Sequence, residues 1–133
     1  MFVDSSALTS IIVDEPDSEA FMACLARAKS TVIASVTQVE ASIAVGRYHQ
    51  GDYEFGAVQV SDFIDRAEIK VLDVPADIVD EVLLAYRRYG KGTGHGAKLN
   101  FGDCFSYAFA QRLKVPLLFK GDDFSRTDVE SAL

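Results

Sequence analysis

The chain has 133 residues, 49% of them apolar and 25% charged, and a formal net charge of −7. This size fits one domain with a hydrophobic core, spanning residues 1–133. No apolar run reaches the roughly 18 residues of a membrane-spanning helix, and the negative charge argues against broad, non-specific nucleic-acid binding, though not against an acidic metal site whose charge a cation offsets.

"FVD" at 2–4 reads as a short strand that ends in an acid. It follows Met1 without a charged start and long apolar segment, so no secretory signal is expected. Ser5 and Ser6 are good helix N-caps, and "SALTSIIV" reads as a short helix. A second helix is expected in "DEPDSEAFMACLARAKS", with Pro16 in its first turn and Asp17 and Glu19 at its positive end. "TVIAS" at 31–35 reads as a buried strand, after which Ser35 or Thr37 would cap a helix over "VTQVEASIAVGRYHQG". "DYEFGAVQVSDFIDRA" has helical periodicity with a tolerated Gly56. "EIKVLDV" is strand-like. "ADIVDEVLLAYRRYG" reads as a helix with Ile78, Val79, Val82, Leu83 and Tyr86 on one apolar stripe, stopped by Gly90. "KGTGHGAK" is a loop, "NFGDCFSYAFAQRLK" a largely apolar helix, and "VPLLFKG" the last clear strand, followed by "DDFSRTDV". Strands alternate with helices, which predicts an α/β domain with a mainly parallel sheet and right-handed crossovers. Cys24 and Cys104 have no metal-ligand spacing and read as reduced, buried thiols of a cytoplasmic protein.

Several acids fit this pattern poorly. Glu40 falls on the apolar stripe Val36, Val39, Ile43, Ala44; it either snorkels out at the stripe's edge or is a buried ligand. Asp4 closes the first strand, and ligands of open parallel sheets bind outside the carboxyl ends of the strands. It is either a cap or a ligand, and the adjacent serines leave the capping job open to others. Asp103 follows Asn100 by three, the spacing of a capping-box pair. Asp122 and Asp123 follow the last strand, where an ordinary polar turn would also place them. Gathered at one sheet edge, these carboxylates would repel unless protonated or bridged by a cation. Oxygen-only ligands suit Mg²⁺ or Mn²⁺ over Zn²⁺, and such sites favour phosphoryl chemistry with an activated water.

"VDSSAL", the acid of "TQVEASIA", "LNFGDCFSYAFA" and "PLLFKGDDFSRTDV" stand in order over essentially the whole chain. In these motifs the sequence resembles a PIN domain, in particular the VapC-type toxins of type II toxin–antitoxin pairs. The resemblance implies a PIN-like three-layer fold with a central, mainly parallel β-sheet flanked by helices. It implies a Mg²⁺- or Mn²⁺-dependent endoribonuclease with Asp4, Glu40 and Asp103 as the first three acids of its site. Asp123 is the fourth, with Asp122 as the alternative. Asp4 and Asp103 would hold the metal, Glu40 and Asp123 would complete the acidic cup, and Ser6 would orient the site. Hydrolysis by water would leave 5′-phosphate and 3′-hydroxyl ends. The resemblance further implies a VapB-type antitoxin that covers the site. It implies a homodimer, built through helices such as 17–29 and 36–49, and a heterotetramer or larger assembly with the antitoxin.

An RNA substrate needs a cationic surface. Arg87, Arg88, Lys91 and Lys98 cluster in "YRRYGKGTGHGAK", where Tyr86 and Tyr89 could stack bases. The same cations also suit an ordinary helix end. The glycines of that loop follow a helix and lack the strand–turn–helix context of a nucleotide loop. His49 and His95 read as surface residues without a nucleophile partner. A phospho-receiver domain is the chief rival reading, with Lys120 as its late lysine, but Asp4 is followed by Ser5 and Ser6 where that fold needs a second acid.

Overall fold

The computed structural model describes all residues 1–133. Four short strands form one sheet: β1 (Phe2–Val3), β2 (Val32–Ala34), β3 (Lys70–Leu72) and β4 (Leu117–Leu118). Their order is β3-β2-β1-β4, and every pairing is parallel. Each crossover is helical. α1 (Ser5–Ile12) and α2 (Ser18–Arg27) link β1 to β2, while α3 (Ser35–Tyr48) and α4 (Tyr53–Arg66) link β2 to β3. A 3-10 turn at Ala76–Ile78, α5 (Val79–Tyr89) and α6 (Phe101–Leu113) lead to β4, and a second 3-10 turn at Phe124–Arg126 follows it. No helix is long and apolar enough to cross a membrane.

Alternation along the strands splits the core in two. Phe2, Ala34 and Leu117 face α5 and α6, where they pack with Ile78, Val82, Ala85, Tyr89 and Phe109. Val3, Ile33 and Leu118 face the other way, against Ala7 and Leu8 of α1, Phe21 of α2, Ala41 and Val45 of α3 and Val60 of α4. The result is three layers, with α1–α4 on one side of the parallel sheet and α5 and α6 on the other. Both cysteines are buried and unpaired.

The structure corrects several local readings. Pro16 lies in the turn before α2 and not in its first helical turn. Neither Ser35 nor Thr37 caps α3: Ser35 is its first helical residue, Ala34 holds the cap position without a side-chain bond, and Thr37 is buried. On α3 the buried face is Thr37, Ala41 and Val45, while Val39 is 58% exposed and Ile43 is exposed. On α5 the buried residues are Val82, Ala85 and Tyr89, continuing from Ile78, while Val79, Leu83 and Tyr86 face solvent. Both helices carry apolar residues on more than one face, so their partners decide which face is covered. Gly56 is more than tolerated. A methyl group there would stand 2.6 Å from the backbone N of Gly46, so the paired glycines let α3 and α4 cross in close contact.

Candidate active site

Because β1 and β4 are neighbours, Asp4 lies beside the segment that carries Asp122 and Asp123, while Glu40 comes from α3 and Asp103 from the head of α6. Asp4 follows β1 directly, and its backbone N–H donates to the Leu118 carbonyl at 2.8 Å. Asp4 is itself the N-cap of α1, although the serines beside it offered alternatives. Its Oδ2 accepts from the backbone N–H of Ser6 at 2.9 Å and from Ser6 Oγ at 2.6 Å. Ser6 Oγ accepts in turn from the Lys120 N–H at 3.0 Å, tying the segment after β4 to that after β1. Asp4 is 1% exposed, and its Oδ1 is buried with no hydrogen-bond partner. An orphaned carboxylate oxygen in such a place is costly unless something further satisfies it.

Glu40 sits at the border of the buried face of α3 and is half-buried. Ser5 Oγ donates to its Oε2 at 2.9 Å. Burial, and then the charge of Asp4, push the Glu40 carboxyl above its ordinary range, and the Ser5 hydrogen bond opposes this.

Asp103 closes a full capping box at the head of α6. Its N–H donates to Asn100 Oδ1 at 2.9 Å, and its Oδ2 accepts from the Asn100 N–H at 2.7 Å. It is 7% exposed. Burial pushes its carboxyl up to about 7, assisted by the charges of Asp4, Glu40 and Asp123 and opposed by the Asn100 N–H. Asp122 and Asp123 both lie exposed ahead of the last 3-10 turn. The charge of Asp123 adds to the field at Asp103.

These acids share one electrostatic neighbourhood, but three or more of them do not converge into a tight ligand cluster. Protein hydrogen bonds hold one oxygen each of Asp4, Glu40 and Asp103. The other oxygen of each has no protein partner, and the buried Asp4 Oδ1 is the clearest case. This donor set is all oxygen, anionic and half free. It fits a hard divalent cation.

The expected RNA surface is rearranged. Arg87, Lys91 and Lys98 are exposed, and the loop carrying the lysines runs straight into Asn100. Arg88 is not free: it pairs with Asp128 at 3.2 Å and lies over the Tyr89 ring. Tyr89 is buried against Tyr107 and His95, so it presents no open face for a base. The exposed Tyr86 donates its hydroxyl to the Lys91 carbonyl at 2.9 Å. Both histidines are exposed, and His95 Nδ1 accepts from the Ala97 N–H at 3.1 Å.

Three features of the site have no counterpart in the sequence reading: Ser5 as the holder of Glu40, Gly102 beneath the Glu40 carboxylate, and a cluster around Glu15. Lys120 Nζ pairs with Glu15 at 2.8 Å and Asp17 at 3.3 Å, while Tyr48 donates to Glu15 at 2.5 Å. The Lys120 hydrogen bond, then that of Tyr48, pull the Glu15 carboxyl down to about 2. Glu15 and Lys120 of this cluster, with Ser5, Glu40 and Arg47, line a cavity of about 470 Å³ beside the acids. Only the short Ser-Ser pair after Asp4 offered a local signal for any of these contacts.

Residues 1–130 match the family model described as the PIN domain. Ribonuclease VapC of Mycolicibacterium smegmatis is 42% identical over 130 residues, covering 97% of both chains. Ribonuclease VapC30 of Mycobacterium tuberculosis is 38% identical, covering 97% of this chain and 95% of its own. Among solved structures, M. tuberculosis VapC20, described as a toxin that cleaves the sarcin–ricin loop, superposes with a TM-score of 0.77 at 16% identity, covering 96% of this chain and 95% of its own.

Proposed function

The chain belongs to the PIN-domain family, among its VapC members, and from that premise we propose that it is a metal-dependent endoribonuclease toxin of a toxin–antitoxin pair. The observation that carries the metal is the pattern of half-satisfied carboxylates, with the orphaned, buried Asp4 Oδ1 at its centre.

Asp4 and Asp103 would hold Mg²⁺ or Mn²⁺ through the oxygens that the protein leaves free. Glu40 and Asp123 complete the acidic wall. A bound divalent ion supplies a water of lowered pKa and offsets charge on the phosphate. The protein's own part is rigidity. Ser6 locks Asp4 through Oδ2, and the capping box locks Asp103 through its own Oδ2, so the remaining oxygen of each is presented in a set direction. Glu40, with its pKa raised by burial, is suited to take up a proton close to the reacting water. Arg87, Lys91 and Lys98 are the cations that would meet the RNA backbone; Arg88, already paired, contributes less. Water in place of the ribose 2′-hydroxyl avoids a cyclic phosphate; when the P–O3′ bond breaks and the 3′ oxygen leaves and takes up a proton, the products carry 5′-phosphate and 3′-hydroxyl ends. A VapB-type antitoxin would silence the site by covering it, and the helices of the N-terminal half would carry a homodimer.

Cleavage-end mapping on total RNA with Mg²⁺ or Mn²⁺ tests the reading, comparing wild type with Asp103→Ala. The wild type should yield discrete 5′-phosphate ends that EDTA abolishes, and the folded variant should yield none. Full activity in folded Asp103→Ala, or cleavage indifferent to EDTA, overturns it.

A further inference from the structure

Gly102 is the second residue of α6 and is buried beside Asp103. The three atoms nearest to where a Cβ would stand all belong to Glu40. They are its Cδ, at 2.5 Å, and both carboxylate oxygens, which are closer still. Side-chain carbons do not approach heavy atoms within 3.0 Å, so no other residue at 102 is compatible with Glu40 where it lies. The backbone conformation does not call for glycine there. Gly102 is not among the residues with positive φ, and in a helix alanine is favoured over glycine by about 1 kcal/mol. The local preference of the chain is therefore overridden for the sake of one distant carboxylate.

We infer that Gly102 is a positioning residue: its bare Cα is a seat that, together with Ser5 Oγ, brings the Glu40 carboxylate against the first turn of α6 beside Asp103. The seat works from two sides. Ser5 pins Oε2 from α1 at 2.9 Å, and Gly102 removes the obstacle on α6. Only the catalytic consequence rests on the ribonuclease reading; the seat itself is geometry.

Gly102→Ala tests it. The clash falls on the mobile end of a long side chain and not on backbone, so the variant should fold and keep a wild-type Tm or gain a little. In a crystal structure of the metal-free variant, Glu40 should have left Ser5. Mn²⁺ affinity by calorimetry and kcat on single-stranded RNA should each fall about 10–100-fold, as when a group surrounding the metal ligands is displaced. Two further variants separate positioning from damage to α6. In a Glu40→Ala background, Gly102→Ala should cause no additional loss. Glu40→Asp, one methylene shorter, should recover activity when combined with Gly102→Ala. The inference is overturned if Glu40 keeps its Ser5 contact and Mn²⁺ affinity is unchanged in Gly102→Ala. It is also overturned if the loss is as large without Glu40, or if the variant fails to fold. If the wild type cleaves no RNA with either metal, the ribonuclease reading falls, and the crystal and calorimetric arms still decide the seat.

Discussion

Replacing Asp103 by asparagine separates the capping role of its carboxylate from the charge it carries. The amide oxygen of Asn can still accept from the Asn100 N–H, so the capping box survives and the charge goes. With Asp103 raised from 3.8 to about 7, the folded state binds its proton more tightly than the unfolded chain does. Stability then falls as pH rises between those values. The climb corresponds to about 4 kcal/mol at 1.36 kcal/mol per pH unit. Against it stands the lost attraction between a carboxylate and the helix N-terminus, about 0.3–1 kcal/mol. Repulsion and burial therefore win over the dipole, and metal-free Asp103→Asn should be more stable than wild type at pH 8. For a chain of this length the gain translates to roughly 10–15 °C in Tm, and it should fade toward pH 4, where Asp103 of the wild type is protonated. Thermal unfolding in EDTA at pH 4 and pH 8 measures both. Adding Mg²⁺ or Mn²⁺ at pH 8 should raise the wild-type Tm and leave the variant unmoved. If Asp103→Asn is the less stable protein at pH 8 in EDTA, Asp103 is chiefly a capping residue and the strained acidic site is refuted.

Other perturbations probe the supports. Ser5→Ala removes the hydrogen bond to Glu40; activity should drop about 10-fold or more while urea denaturation shows a loss of only about 0.5–1.5 kcal/mol. Glu15, held down to about 2 by Lys120 and Tyr48, contributes stability that is present above about 4.5 and lost as pH falls through about 2. The stability difference between wild type and Lys120→Met should therefore shrink across that window in acid denaturation, and a constant difference would contradict the ion pair. Gly56→Ala drives a methyl into the Gly46 backbone, where neither helix can yield. It should cost about 1–3 kcal/mol by chemical denaturation despite the better helix propensity of alanine.

Much of the fold was legible because strand and helix alternate and each strand is bounded by turn or capping residues. Phe2–Val3, Val32–Ala34 and Leu117–Leu118 are all found within segments that read as strands. Faces were harder. α3 carries Val36, Val39, Ala41, Ile43, Ala44 and Val45, enough to fit more than one stripe, and the choice fell to packing against α1, α4 and α6. α5 shows the same ambiguity: Val79 and Leu83 are as apolar as Val82, yet only the row through Val82, Ala85 and Tyr89 meets α6 and the sheet.

The site divides along the same line between local and distant causes. The Asn100–Asp103 box spans three residues, and the Asp4–Ser6 contact spans two. Both are written in short spacings that a chain can reveal by itself. Glu40 is different. Its stripe on α3 suggested an inward-facing acid, but the stripe was the wrong one, since Val39 and Ile43 beside it are exposed. What draws Glu40 inward comes from other elements. A serine 35 residues away supplies the hydrogen bond, and a glycine on α6 supplies the space. A serine after an acid and a glycine before one are unremarkable as sequence. They acquire meaning only when α1 and α6 stand close enough for one glutamate to touch both. The acids of this site can thus be nominated from spacing and resemblance, whereas the residues that make them act together emerge only from the packed structure.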